Sequence, residues 1–229
     1  EIISSKYAES INSNDLEDLL AVYSSDDFEG RQTGTKGDRT AANFLRDFYI
    51  SNKIGPALNT IDYFQSYQLN LPGKMYTFNY SFPSTLRGYD RYAQGDNFVD
   101  TQNVASVIEG EIYPESYLII TGHLDHVGIN GDEVYNGADD NGSGTVSILE
   151  IAQAFQEAVE DGVRPKRSVV FLHVSGEEEG LLGSEYYVNN SLYPLENTFA
   201  TLNLDMIGRT DPNRGYEDEE YVYSIGSDR

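Results

Sequence analysis

The chain has 229 residues, with 38 Asp and Glu against 15 Lys and Arg, three His and no Cys, for a formal charge of −23. A surface this acidic repels nucleic-acid phosphates and anionic membrane headgroups. The absence of Cys excludes disulfide scaffolds, thiolate zinc fingers, iron–sulfur clusters and cysteine nucleophiles. Any metal site must therefore draw on His and carboxylates, with carboxylates in the majority. The hydrophobic fraction of 39% is enough for the core of one globular domain, and no apolar run approaches the ~18–20 residues of a membrane span. The sequence begins at Glu1 without an initiator Met or a signal-peptide pattern, and so reads as a mature or trimmed form.

Residues 1–60 read as a helical segment. Asn14 is placed to cap a helix with Leu16, Leu19, Leu20 and Tyr23 on one face. A glycine-rich loop, Phe28 to Gly37, leads to a second helix carrying Ala41, Phe44, Leu45 and Phe48, which Gly55-Pro56 ends. In residues 61–100, Asp62 to about Phe82 reads as a β-hairpin or two edge strands with a turn at Leu71-Pro72-Gly73-Lys74, followed by an irregular stretch from Pro83 to Asp100. Residues 101–229 alternate strands and helices. Strands are expected at Asn103–Glu109, Tyr117–Thr121, Ser168–Val174, Phe199–Leu204 and Tyr221–Ile225. Helices are expected at Val146–Val159 and Leu181–Asn189. This alternation predicts a single α/β domain, a three-layer α/β/α arrangement around a central mixed, mainly parallel sheet. Glu217-Asp218-Glu219-Glu220 reads as a solvated loop.

In such a sheet, chemistry gathers at the carboxyl ends of the strands. Tyr117–Thr121 runs into Gly122-His123-Leu124-Asp125-His126, and a loop then carries Asp139-Asp140 into a helix. Ser168–Val174 ends at Ser175-Gly176-Glu177-Glu178-Glu179, and Phe199–Leu204 ends at Asp205-Met206. Any one of these is commonly a helix cap or a solvated turn; the fold rule places all of them on one edge. Carboxylates crowded there repel one another, and a divalent cation removes that penalty. A His-plus-carboxylate set without thiolates suits zinc, and manganese or cobalt less specifically.

The ordered series Gly122-His123-Leu124-Asp125, Gly137-Ala138-Asp139-Asp140-Asn141-Gly142-Ser143-Gly144, Gly176-Glu177-Glu178-Glu179-Gly180 and Leu202-Asn203-Leu204-Asp205-Met206 resembles the M28 family of dinuclear zinc peptidases. Phe28-Glu29-Gly30-Arg31 resembles the amino-terminal part of its bacterial members. The resemblance implies His123, Asp140, Glu178 and Asp205 as zinc ligands, with Asp140 bridging two ions. It implies Glu177 and Asp125 as catalytic residues: Glu177 is the general base, and the Asp125 carboxylate accepts the second imidazole N–H of His123. Met206 resembles a residue lining a side-chain pocket, and the Asp140–Asn141 peptide bond is expected to be cis. His126 is read as a loop or pocket-edge residue, His173 as a packed core residue, and Asp139 and Glu179 as residues that shape loops or cap helices.

The implied activity is that of an exopeptidase acting on peptide substrates, an aminopeptidase above all. A glutaminyl-cyclase-like zinc acyltransferase and a non-catalytic binding ectodomain of the same fold are the alternatives. The family's further His ligand lies in a later segment, and no His follows His173 in this sequence. The chain is therefore expected to be a shortened and impaired form. One zinc site would be filled by His123, Asp140 and Asp205, the other would have only Asp140 and Glu178, and surface left uncovered would favour self-association. By analogy with bacterial relatives, the protein is expected to be exported to the periplasm, cell envelope or medium.

Overall fold

The computed structural model describes residues 6–70, 98–211, 213 and 221–226. Helix α1 (Ser13–Tyr23) is capped by Asn12, not Asn14. Asn12 is extended, so its Oδ1 can accept the main-chain N–H groups of Asn14 and Asp15, both at 3.1 Å; Asn14 already lies in the first turn. Helix α2 (Lys36–Ser51) starts at the Thr35 cap and ends at Asn52. Gly55-Pro56 does not terminate it but forms a short strand, β1.

Strand β2 is Phe64–Asn70, and β3 is Phe98–Ile108. The expected hairpin turn at Leu71–Lys74 and most of the expected irregular stretch lie outside the described residues, as does the Glu217–Glu220 cluster. Phe98–Asp100 belongs to β3 rather than to that stretch, because each of its residues pairs across to β2. Strand β4 is Tyr113–His123, followed by a small hairpin of β5 (Gly128–Asn130) and β6 (Glu133–Tyr135). Helix α3 (Gly144–Glu160), strand β7 (Arg167–Val174), helix α4 (Leu182–Asn189) and strand β8 (Thr198–Asn203) complete the order.

The main sheet is mixed, in the order β1-β3-β7-β4-β8, with β2 also paired to β3. Strands β7, β4 and β8 run parallel, and β3 is antiparallel to β7, β2 and β1. Side chains alternate across the sheet. Val169 and Phe171 of β7 and Ile120 of β4 face a core shared with Tyr23, Leu45, Tyr49, Ile148 and Leu149 from α1, α2 and α3. Val170, Leu172 and Val174, with Ile119, face a second core closed by Tyr187 of α4, Leu192 and Tyr193. Three layers follow: three helices, the sheet, and α4.

The expected strand Tyr221–Ile225 does not form; residues 221–225 carry no regular structure and pair with no strand among the described residues. The alternating apolar pattern suits a strand, but a strand exists only where a neighbour supplies the ladder. Here the phenolic oxygens of Tyr221 and Tyr223 instead meet Asp211. Among the described residues no helix is long and apolar enough to cross a membrane.

His173 sits in the first core, fully buried, with Nε2 2.7 Å from the Tyr49 hydroxyl and no partner for Nδ1. Burial pulls its pKa down to about 3 from an ordinary 6.5. Between those values the unfolded chain binds a proton that the folded chain refuses, so this contribution to stability is whole above pH ~6.5 and shrinks as pH falls. Thermal melts at a series of pH values should show the wild-type chain losing stability more steeply than His173→Leu on acidification below pH ~6.5; parallel slopes would contradict this assignment.

Candidate metal centre

Because β7, β4 and β8 are parallel, their carboxyl ends share one edge. His123 is in register with Val174, and Thr121 with Asn203. The residues just past each strand end, Ser175 to Glu178 and Asp205, therefore arrive beside His123. Asp140 comes from an irregular helical turn, Ala138–Ser143, that leads into α3, and its bond to Asn141 is cis.

The His123 ring is buried, with Nε2 3.1 Å from Asp140 Oδ1 and 3.7 Å from Asp205 Oδ1. Its Nδ1 is held at 3.0 Å by the main-chain carbonyl of Asp125. This differs from the expected carboxylate partner: Asp125 Oδ1 is 3.7 Å away and committed elsewhere. The buried Asp125 carboxylate accepts the Thr33 hydroxyl at 2.9 Å and the N–H groups of Glu177 at 3.2 Å and Glu178 at 3.4 Å. It thus fixes the turn that presents both glutamates, while its own carbonyl fixes the imidazole. Burial disfavours a charged His123, but hydrogen bonds to the surrounding aspartates outweigh burial and push its pKa up to about 12.

Two donor sets converge. One ligand atom from each of His123, Asp140 and Asp205 lies within 4.8 Å of the others, and the same holds for His126, Asp140 and Glu178. Asp140 belongs to both. Imidazole with carboxylate oxygens, and no sulfur, is a donor chemistry that fits zinc. The Glu177 carboxyl is raised above its ordinary value by burial, then by the neighbouring Asp125, Glu178 and Asp205, with His123 acting in the opposite sense. Asp140 is lowered, chiefly by its hydrogen bond to His123, against the effect of burial. Met206 is half exposed, at φ 49°, with its N–H on Asn141 Oδ1.

Several supporting residues escaped the sequence reading. The Asn141 side chain accepts the N–H groups of Gly144 and Met206 and donates to the Leu204 carbonyl, tying the Asp140 turn to the Asp205 loop. Asn141 is buried, so the Asn141-Gly142-Ser143 sequon offers no accessible glycan acceptor. Asp139 accepts Gly208 N–H at 2.9 Å and so shapes the same loop, as expected. Arg31 is buried, and its guanidinium donates to the carbonyls of Leu124 (3.0 Å), Tyr23 (3.1 Å), Asn136 (2.6 Å) and Gly137 (2.8 Å). The sequence signal was the glycine-rich turn itself: Glu29, Gly30 and Arg31 all have positive φ, and a side chain on Gly30 would strike the carbonyl oxygens of Gly128 and Tyr135.

The sequence profile described as "Peptidase family M28" matches residues 103–225, more than half of the chain. Leupeptin-inactivating enzyme 1 of Streptomyces exfoliatus is 42% identical over 105 residues, covering 45% of this chain and 22% of that protein. A probable zinc metalloprotease of Pyricularia oryzae is 31% identical over 127 residues, covering 54% of this chain and 24% of that protein. The chain thus spans about a quarter of the length of these relatives. In fold it is similar to a Zn-dependent exopeptidase from Parabacteroides distasonis, with TM-score 0.61, 17% identity, and 87% of this chain and 63% of that one covered. It is also similar to the LapA aminopeptidase of Legionella pneumophila, with TM-score 0.56, 19% identity, and 89% and 45% covered.

Arg31→Met would leave those main-chain carbonyls without their charged donor. Urea unfolding should show a loss on the order of 3 kcal/mol. A loss under about 1 kcal/mol would mean that water or neighbouring N–H groups replace the guanidinium.

Proposed function

The chain belongs to peptidase family M28, and from that premise we propose that it carries the metal-binding core of a zinc-dependent exopeptidase, an aminopeptidase in type, acting on peptide substrates. The observation that carries this reading is the pair of donor sets meeting at Asp140, with the Glu177 carboxyl beside them. His123, Asp140 and Asp205 would hold one zinc, and Asp140 with Glu178 would reach a second. Bound zinc supplies a Lewis acid that polarises a peptide carbonyl and makes water acidic enough for a carboxylate to deprotonate.

The chain's own residues do the rest. Asp140 belongs to both sets and would join the two ions. The Asp125 carbonyl holds His123 Nδ1, which leaves Nε2 as the ligating nitrogen. The Asp125 carboxylate locks the main chain at Glu177 and Glu178, so the base and the ligand keep a fixed spacing. Glu177 accepts a proton from the attacking water and returns it to the leaving amine. Met206, half exposed at the mouth of the Asp205 loop, contacts the substrate side chain in this reading.

The purified chain should bind zinc and hydrolyse an aminoacyl amide with a free amino group in preference to its N-acetylated counterpart. Glu177→Gln should slow turnover by about 100-fold or more with zinc affinity retained. Turnover that survives Glu177→Gln, or a preference for the acetylated substrate, would overturn the assignment. His123→Ala should lower zinc content directly.

A further inference from the structure

Among the residues of this chain, the M28 reading assigns Asp140 and Glu178 to the second zinc, with the family's further His in a later segment. The structure brings a nitrogen to that zinc site. His126 Nδ1 stands 2.7 Å from Glu178 Oε1, and His126, Asp140 and Glu178 form the second donor set. Resting on the proposed metallopeptidase reading, we propose that His126 is a third protein ligand of the second zinc site, binding through Nδ1.

The position of the ring is built rather than incidental. The imidazole packs against Gly137, where a Cβ would come within 2.5 Å of ring atoms Cγ and Cδ2. Gly137 is in the left-handed region, φ 54°, so both its conformation and the space beside it call for glycine. The main-chain N–H of His126 donates to the Arg31 carbonyl at 3.2 Å, and Arg31 Nη2 holds the Gly137 carbonyl at 2.8 Å. One buried arginine therefore fixes the seat of the ring and the turn that delivers Asp140. Only 14% of the His126 side chain is exposed, so the ring is lodged in the cluster rather than projecting into solvent.

The donor chemistry agrees. One imidazole and two carboxylates make an N/O set with a coordination position left for water or substrate, the composition of catalytic zinc sites. Two ligands on one tetrahedral zinc stand about 3.3 Å apart, given bonds of roughly 2.0–2.1 Å. His126 and Glu178 need to part by only about half an ångström to admit the ion. The competing role is that His126 keeps its Nδ1 proton and only orients Glu178, an outer hydrogen bond of the kind whose removal weakens metal affinity about 10–100-fold.

The test is zinc titration of the purified chain against a competing chelator, with histidine-selective nitrogen NMR on the same samples. The wild-type chain should bind two zinc ions, and Asp140→Ala should disturb both. His126→Ala should keep one ion and bind the second more than 100-fold more weakly. In the wild-type spectrum, the second equivalent of zinc should remove the proton from His126 Nδ1 and leave one on Nε2. This measurement stands even if the variant folds poorly.

An Nδ1 proton that persists with two zinc ions bound overturns the proposal. So does a His126→Ala chain whose second zinc is weakened 100-fold or less, or a wild-type chain that takes up only one ion. A wild-type chain that binds no zinc fails differently: it removes the metallopeptidase reading itself.

Discussion

The carboxyl groups of Asp125, Asp140, Glu177, Glu178 and Asp205 crowd at one edge of the parallel strands of a mixed sheet, and their mutual repulsion is the constraint on which this structure turns. The strands fix the crowding, because β7, β4 and β8 run parallel and open on the same side. Each carboxylate then meets a different compensation. Asp125 is surrounded by N–H and O–H donors, Asp140 leans on His123, Glu178 leans on His126, and Glu177 has a raised proton affinity. The heightened basicity of His123 belongs to the same balance. A divalent cation satisfies all of these demands at once, which is why the arrangement reads as a metal centre rather than as a set of helix caps.

The amino-terminal segment bears on the site without supplying a ligand. Arg31 gathers carbonyls from α1, from the segment after β4 and from the turn before Asp140. The cost of burying a guanidinium is offset because its donors face fixed carbonyl dipoles. Asp38, in α2, plays a parallel part on the other side. It accepts Thr101 and Ser175, and burial raises its carboxyl to about 7 although those hydrogen bonds work the other way. Thr33 and Asp38 thus join the glycine-rich loop and α2 to the turn that carries Glu177.

Much of this was legible in the sequence, for identifiable reasons. His123, Asp140, Glu178 and Asp205 each follow or adjoin a strand end, so a single rule of sheet topology brings them together, and the ordered motifs name them. That β7 is covered on both faces was readable from the apolar run Val169–Leu172. Other features depended on geometry that a linear pattern does not carry. His126 matters because Gly137 folds back under its ring, a contact between loops. Asp125 acts through its carbonyl and its carboxylate in two directions, which composition cannot separate. Gly55-Pro56 carries the mark of a helix stop, yet β3 offers it hydrogen bonds and makes it a strand. Tyr221–Ile225 has the pattern of a strand and finds no ladder among the described residues.

The way Asn141 is held bears on how the molecule ages. An Asn-Gly pair deamidates when the glycine nitrogen turns on the side-chain carbonyl carbon to close a five-membered imide. In the folded chain both partners are engaged: the Gly142 N–H donates to the Gly137 carbonyl at 3.0 Å, and the Asn141 amide bridges Leu204, Gly144 and Met206. The imide can close only after the turn opens, so isoaspartate at position 141 accumulates with the openings themselves. The residue that ties the two loops together is thus also a slow chemical record of how often they come apart.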